Sequence, residues 1–160
     1  DSDAMNTLGE CYVSGEGVEM DNDKAVEWYQ KAIVKGNSDA MNNIGDCYYF
    51  GDGVEMDEGK AVEWYRKSAL LGNSDDMHSL GECYANGYGV EEDPKEAVVW
   101  YTKSHGSGNV ESTYKLGKMY YKGIGVPKNK YRASVLLCEA ADQDHEKAQK
   151  FIKKKNIPIR

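Results

Sequence analysis

Three rows of side chains recur along this chain every 36 residues, and they carry the chemistry it can offer. Asn6, Asn42, His78 and Tyr114 form a hydrogen-bonding row. Glu10, Asp46, Glu82 and Lys118 form a charged row, and Val13, Tyr49, Ala85 and Tyr121 form a mixed row with two tyrosines. Positions 6, 10 and 13 are four and three residues apart, so on a helix all three point the same way. Amides, carboxylates and phenols in such ladders do not assemble a nucleophile with its base. They suit contact chemistry with an extended or helical peptide. The candidate partner-binding residues on this face are Asn6, Glu10, Asn42, Asp46, Tyr49, His78, Glu82, Tyr114, Lys118 and Tyr121. Its acidic members favour a partner with a basic segment, bound more weakly as salt rises. A solvated face with no partner would use the same residue types.

Other chemistries find little support. Cys11, Cys47 and Cys83 occupy one repeat position, and Cys138 stands apart in the fourth repeat. Equivalent positions on stacked helices lie about 10 Å apart, and a disulfide needs Cα atoms within about 7 Å, so the three are expected to be small buried hydrophobes rather than bridges. His78, His105 and His145 are scattered, and neither Cys-x-x-Cys nor His-x-x-x-His occurs. The acidic loops from Gly15 to Asp21 and from Gly51 to Asp57 lack the ordered ligand spacing of a calcium loop. The paired glycines are followed by Val and acidic residues, not by a phosphate-cradling signature. No metal, no cofactor and no catalytic residue is expected. The lysines from Lys147 to Lys155 read as the solvated face of a capping helix, and the acidic first half would repel nucleic acid.

These rows need a scaffold that repeats as they do. Gly9, Gly45, Gly81 and Gly117 share the 36-residue step, as do Tyr12, Tyr48, Tyr84 and Tyr120. So do the pairs Gly15/Gly17, Gly51/Gly53, Gly87/Gly89 and Gly123/Gly125, each followed by Val. Trp-Tyr recurs at 28–29, 64–65 and 100–101 and becomes Leu136-Leu137 in the fourth copy. Each unit reads as two helices. In the first, Ala4, Met5, Leu8, Cys11 and Tyr12 form an apolar stripe. In the second, Ala25, Trp28, Tyr29 and Ala32 form the stripe, and Glu27–Lys31 and Glu63–Lys67 are spaced as outer-face pairs. Asn37, Asn73, Asp57 and Asp93 sit where N-caps belong, and Gly15, Gly36 and their equivalents sit at the far ends. A two-helix unit cannot bury its stripe alone, so neighbours must stack.

The net charge of −7 hides an asymmetry. Repeats 1–36, 37–72, 73–108 and 109–144 and the tail 145–160 carry −5, −4, −5, +2 and +5. Such a split can steer a partner by field or bring copies together head to tail. No apolar run is long enough to span a membrane, so direct membrane insertion is not expected. The chain opens on Asp1, directly on a repeat, and further repeats or a cap are expected before it. Unpaired cysteines favour a reducing, intracellular compartment.

The string Leu8-Gly9…Tyr12…Gly15-x-Gly17-Val18…Lys24-Ala25…Trp28-Tyr29-x-Lys31-Ala32…Gly36 resembles the Sel-one-like repeat, a longer relative of the tetratricopeptide repeat. The extra length sits in the Gly-x-Gly-Val loop, and Met5, Met41 and Met77 stand where the shorter repeat carries Trp. The resemblance implies an all-α, right-handed α/α solenoid: four 36-residue helix–turn–helix repeats and a C-terminal capping helix within a single domain, 1–160. It implies first helices lining a concave surface, and an adaptor that binds protein rather than an enzyme. A permanent subunit of a large complex and a secreted, enzyme-like repeat protein are the alternatives. One cysteine-rich group in the family has been linked to β-lactam binding, but it staples its repeats with paired cysteines, a pattern absent here.

Overall fold

The computed structural model describes residues 1–158 and is all-helical, with no strand among them. The first four repeats supply α1 (Ser2–Ser14), α2 (Asn22–Val34), α3 (Ser38–Phe50), α4 (Glu58–Leu70), α5 (Ser74–Asn86), α6 (Pro94–Gly106), α7 (Val110–Lys122) and α8 (Lys130–Asp142). The tail supplies α9 (Glu146–Lys155), the expected cap, and Ile159 and Arg160 fall outside the described residues. The fold class is the one expected: two helices per repeat, then a capping helix.

Helix limits follow local chemistry. Asp21, Asp57, Asp93 and Asn129 cap α2, α4, α6 and α8, each side chain accepting a backbone N–H of the first turn. Asn37 and Asn109 do the same for α3 and α7. The loop in each repeat closes on itself. The N-cap residue donates its own N–H to the carbonyl of the repeated tyrosine: Asp21 to Tyr12 at 2.9 Å, Asp57 to Tyr48 at 2.8 Å, Asp93 to Tyr84 at 2.8 Å and Asn129 to Tyr120 at 2.9 Å.

Two glycine columns let helices approach. A Cβ on Gly45 would lie 2.6 Å from the ring of Tyr65, so glycine lets α4 lay its tyrosine flat on α3. Gly89 has φ +65, and a Cβ there would collide with the backbone of Glu58, whose side chain also accepts the Gly89 N–H at 3.1 Å. The second glycine of the pair is therefore a joint between a loop and the start of an earlier helix.

The chain forms two compact units. The first comprises Asp1–Asp76 with Tyr88–Val90. There α2 packs on α1 and α3, and α3 on α4. Its core gathers Ala25, Val26, Tyr29, Ala32, Ala40, Ile44 and Cys47. The second comprises Met77–Gly87 and the residues from Glu91 onward, with α7 between α6 and α8 and α9 on α8. Its core gathers Ala97, Val98, Tyr101, Leu116, Met119 and Leu136, continued by Tyr114, Leu137, Ala148 and Ile152.

Three details depart from the sequence reading. Val26, Val62 and Val98 belong to the core, whereas Trp28 and Trp64 are only half-buried. Lys31 and Lys67 do not reach Glu27 and Glu63. Their ammonium groups sit 4.0 and 3.9 Å from the centroids of the Trp28 and Trp64 rings, where cation–π attraction over a half-buried indole outweighs a solvated ion pair. A polar pair also replaces Ala32/Ala40 of the first unit: Ser68/Asp76 in the next repeat and Ser104/Ser112 in the one after, all four residues with no exposed surface.

Candidate protein-interaction site

In the first unit the hydrogen-bonding and charged rows interlock. Asn6 is buried at 7% exposure and donates to Glu10 at 2.9 Å. Asn43 in turn donates to Asn6 at 2.9 Å and approaches Glu10 at 3.4 Å. Glu10 remains exposed. Asn42 turns inward and donates to buried Asp76 at 2.7 Å. Asp46 accepts the Tyr65 hydroxyl at 2.7 Å. Burial pushes the Asp46 carboxyl up, and the Tyr65 bond works against that. Tyr49 packs edge-on against Phe50 at 5.0 Å and Tyr88 at 6.0 Å. Phe50 is 65% exposed and Tyr88 38%, so this trio is an aromatic patch open to solvent beside the Asp46 turn of α3.

The second unit treats the same rows differently. His78 pairs through Nδ1 with the Ser112 hydroxyl at 2.8 Å, and Ser112 also bonds Ser104 at 2.8 Å. Glu82 accepts both the Tyr101 hydroxyl and the Lys115 ammonium, the latter at 2.7 Å. Burial works against the Glu82 charge, but those two partners prevail and hold its carboxyl below the ordinary value. Burial first, then the Glu82 bond, push the Tyr101 hydroxyl far up. Lys118 sits 5.0 Å from the Tyr114 ring centroid. Tyr114 itself is 7% exposed, packed on His145 at 4.7 Å and Phe151 at 6.4 Å. Tyr121 meets Phe151 at 5.4 Å. The capping helix thus rests on Tyr114 and Tyr121 of α7.

A cavity of 240 Å³ opens beside Glu82 in this unit. Lys115, Lys118 and Lys122 of α7 line one side, with Tyr101, Met119 and Ile124 among the apolar walls. The corresponding residues of α3 in the first unit are Asn43, Asp46 and Phe50.

Sequence reasoning missed Asn43, Lys115, Tyr65 and Tyr101. The signal was a second period. Cross-repeat contacts step by 33 residues from Glu10 to Asn43 and from Glu82 to Lys115, and by 34 from Asn42 to Asp76, His78 to Ser112 and Glu111 to His145. In these pairs a side chain reaches the next repeat two or three residues short of its own equivalent, whereas Asn43 meets Asn6 from one residue beyond it and Lys147 meets Glu111 at the full step. Cys11, Cys47, Cys83 and Cys138 form no disulfide among the described residues, and burial pushes the Cys47 thiol up to about 11, which keeps it protonated and unreactive. Among the described residues no group of three or more His, Cys, Asp or Glu is placed to hold a metal ion, and no helix is long and apolar enough to cross a membrane.

The sequence model of the Sel1 repeat matches residues 2–37, 38–73, 74–104 and 110–145, four consecutive copies in register with the helix pairs. The chain belongs to the Sel1 repeat family. Among solved structures, this Sel1 repeat chain resembles a protective antigen of uropathogenic Escherichia coli that displays an SLR fold. The two are 37% identical with a TM-score of 0.90, over 93% of this chain and 32% of that one. It also resembles a Sel1 repeat protein from Oxalobacter formigenes, at 32% identity and a TM-score of 0.91, over 96% of this chain and 63% of that one. The chain thus spans about a third of the first relative and under two thirds of the second. Cysteine-rich protein B of Helicobacter pylori shares the fold at 24% identity and a TM-score of 0.64. No curated protein sequence matched the chain. Sel1 repeat proteins are generally protein–protein interaction scaffolds, and their fold is typically non-catalytic.

Proposed function

We propose that this Sel1 repeat chain is an interaction module whose first unit binds a basic segment of a partner protein along the exposed face of α1 and α3. The observation that carries this reading is the exposed Glu10 carboxylate reaching Asn43 of α3, with Asp46 one turn from the open Tyr49–Phe50–Tyr88 patch on the same helix. A guanidinium group fits both halves of that surface, since it pairs with a carboxylate and stacks on an aromatic face. Asn6 and Asn43 act beside it by fixing the Glu10 carboxylate rather than by meeting the partner, while Asn42 is committed to buried Asp76. Glu82 is already matched by Lys115, so the acidic face ends with the first unit.

An arginine-containing, otherwise neutral peptide tests the reading by titration calorimetry. It should bind, weaken as salt rises, and lose at least tenfold in affinity with Glu10→Gln and Asp46→Asn together or with Tyr49→Ala. Equal binding by parent and variants, or equal binding of a lysine-free and arginine-free control peptide, would refute it.

A further inference from the structure

The charged row changes sign within the second unit, and the change coincides with a cavity. Glu10, Asp46 and Glu82 are followed by Lys118 in the same column, and Ser14, Phe50 and Asn86 by Lys122. Lys115, Lys118 and Lys122 lie three and four residues apart on α7, hence on one face, and all three line the 240 Å³ cavity. Only Lys115 is neutralised, by Glu82 at 2.7 Å. Lys118 and Lys122 make no ion pair among the described residues. Glu82, Ala85 and Asn86 of α5 and Tyr101 of α6 line the cavity with them, and apolar side chains from α7 and the residues just after it share the lining. Met119 forms part of the core, and Ile124 is 42% exposed. Glu82 is itself tied to Tyr101, so the Lys115 ammonium is held in place and cannot turn to meet a ligand.

We infer that this cavity is a second binding site, one that receives an acidic segment of a partner protein by taking up an aliphatic side chain flanked by carboxylates. Two ammonium groups with no counter-charge attract the carboxylates, and the Met119–Ile124 wall accepts the aliphatic group. The inference rests on the interaction reading above but concerns the other unit and the opposite charge. A single partner could present a basic segment to the first unit and an acidic one to the second, or two partners could divide them.

The test uses the whole chain and blocked hexapeptides containing Glu-Leu-Asp or its uncharged counterpart Gln-Leu-Asn, followed by calorimetry and by amide chemical shifts. The acidic peptide should bind, shift α7 and the loop after it, and weaken with salt. Lys118→Glu with Lys122→Glu should cost at least tenfold and Ile124→Ala several-fold, while the arginine peptide still binds the first unit. Unaltered thermal melting shows that the variants remain folded. Equal affinity for the two hexapeptides, or no loss in the lysine variant, overturns the site. If the arginine peptide binds while the acidic one does not, this inference alone fails. If neither binds, the interaction reading fails with it. The chain's own exposed Glu55-Met56 loop has the same chemistry. Concentration-dependent dimers that dissolve in the lysine variant would assign the cavity to a second copy and overturn the separate partner.

Discussion

At the scale of single residues, Asp76 is the most unusual choice in the chain. Its repeat column holds Ala4, Ala40 and Ser112, yet it carries a carboxylate with no exposed surface. Asn42 satisfies one oxygen, and Oδ2 has no hydrogen-bond partner among the described residues. Burial pushes the carboxyl up to about 6, although bonds from Ser68 and Asn42 oppose the shift. The sign follows directly. A carboxyl whose folded pKa exceeds its unfolded value favours folding when protonated, so stability falls as pH rises from about 4 to about 6. The cost above that window is at most about 3 kcal/mol, the two-unit shift converted at about 1.4 kcal/mol each. Asp76→Asn keeps the Asn42 bond and should raise stability at pH 7 by about 1–3 kcal/mol. In urea unfolding, the gap between variant and parent should open between pH 4 and 6 and then level off. A gap independent of pH would show that Asp76 is not the titrating group.

At the scale of helix pairs, the contact between the first helix's glycine and the second helix's ring sets how closely they approach. In the second repeat Tyr65 lies against Gly45, and in the fourth Leu137 lies against Gly117, where a Cβ would meet Leu137 Cγ at 2.9 Å. A rigid ring pinned by its hydroxyl to Asp46 cannot step aside, whereas a leucine can change rotamer. Gly45→Ala should therefore cost about 2–3 kcal/mol and Gly117→Ala about 1 kcal/mol or less, after the gain alanine brings inside a helix. Chemical denaturation of both variants checks this, and equal losses would mean that the ring does not set the spacing. The Leu136-Leu137 substitution for Trp-Tyr thus loosens a steric demand while it removes the Trp–Lys stacking of the earlier repeats.

At the scale of the whole molecule, stability in a repeat chain is a chain of neighbour contacts, so damage should stay near its origin. The capping helix offers the test. Ile152 is 4% exposed and packs with Tyr114, Leu137 and Ala148, and Asp144 before α9 adopts a positive φ of 60 where the other repeats use glycine. Ile152→Ala should cost about 2–4 kcal/mol locally. Hydrogen exchange should accelerate in α9 and then α8, while amides of α1 to α3 keep their protection. Uniform acceleration across both units would show that the chain unfolds as one block. Charge follows the same gradient, from −5 in the first repeat to +5 in the tail, and places the two proposed sites in fields of opposite sign.

The repeat, the helix pairs, their caps and the Sel1 repeat fold were all legible in the amino-acid order. Each rests on signals within about four residues or on identity at a fixed step, as with Asp57 before α4 or Gly45 recurring between Gly9 and Gly81. The rows that could touch a partner were legible as columns on a wheel. Their environments were not. Asn6 and Tyr114 are buried, Asp46 and Glu82 are held by tyrosines 19 residues on, and Lys115 cancels Glu82 from 33 residues away. A 36-residue comparison aligns each position with its own copy, whereas packing joins it to other residues, as it joins Glu82 to Lys115 and Asn42 to Asp76. Which side chains neighbouring helices bring together is settled only in three dimensions. That pairing decides which carboxylates keep an unpaired charge, which aromatics face solvent, and where three lysines of one helix face line a cavity.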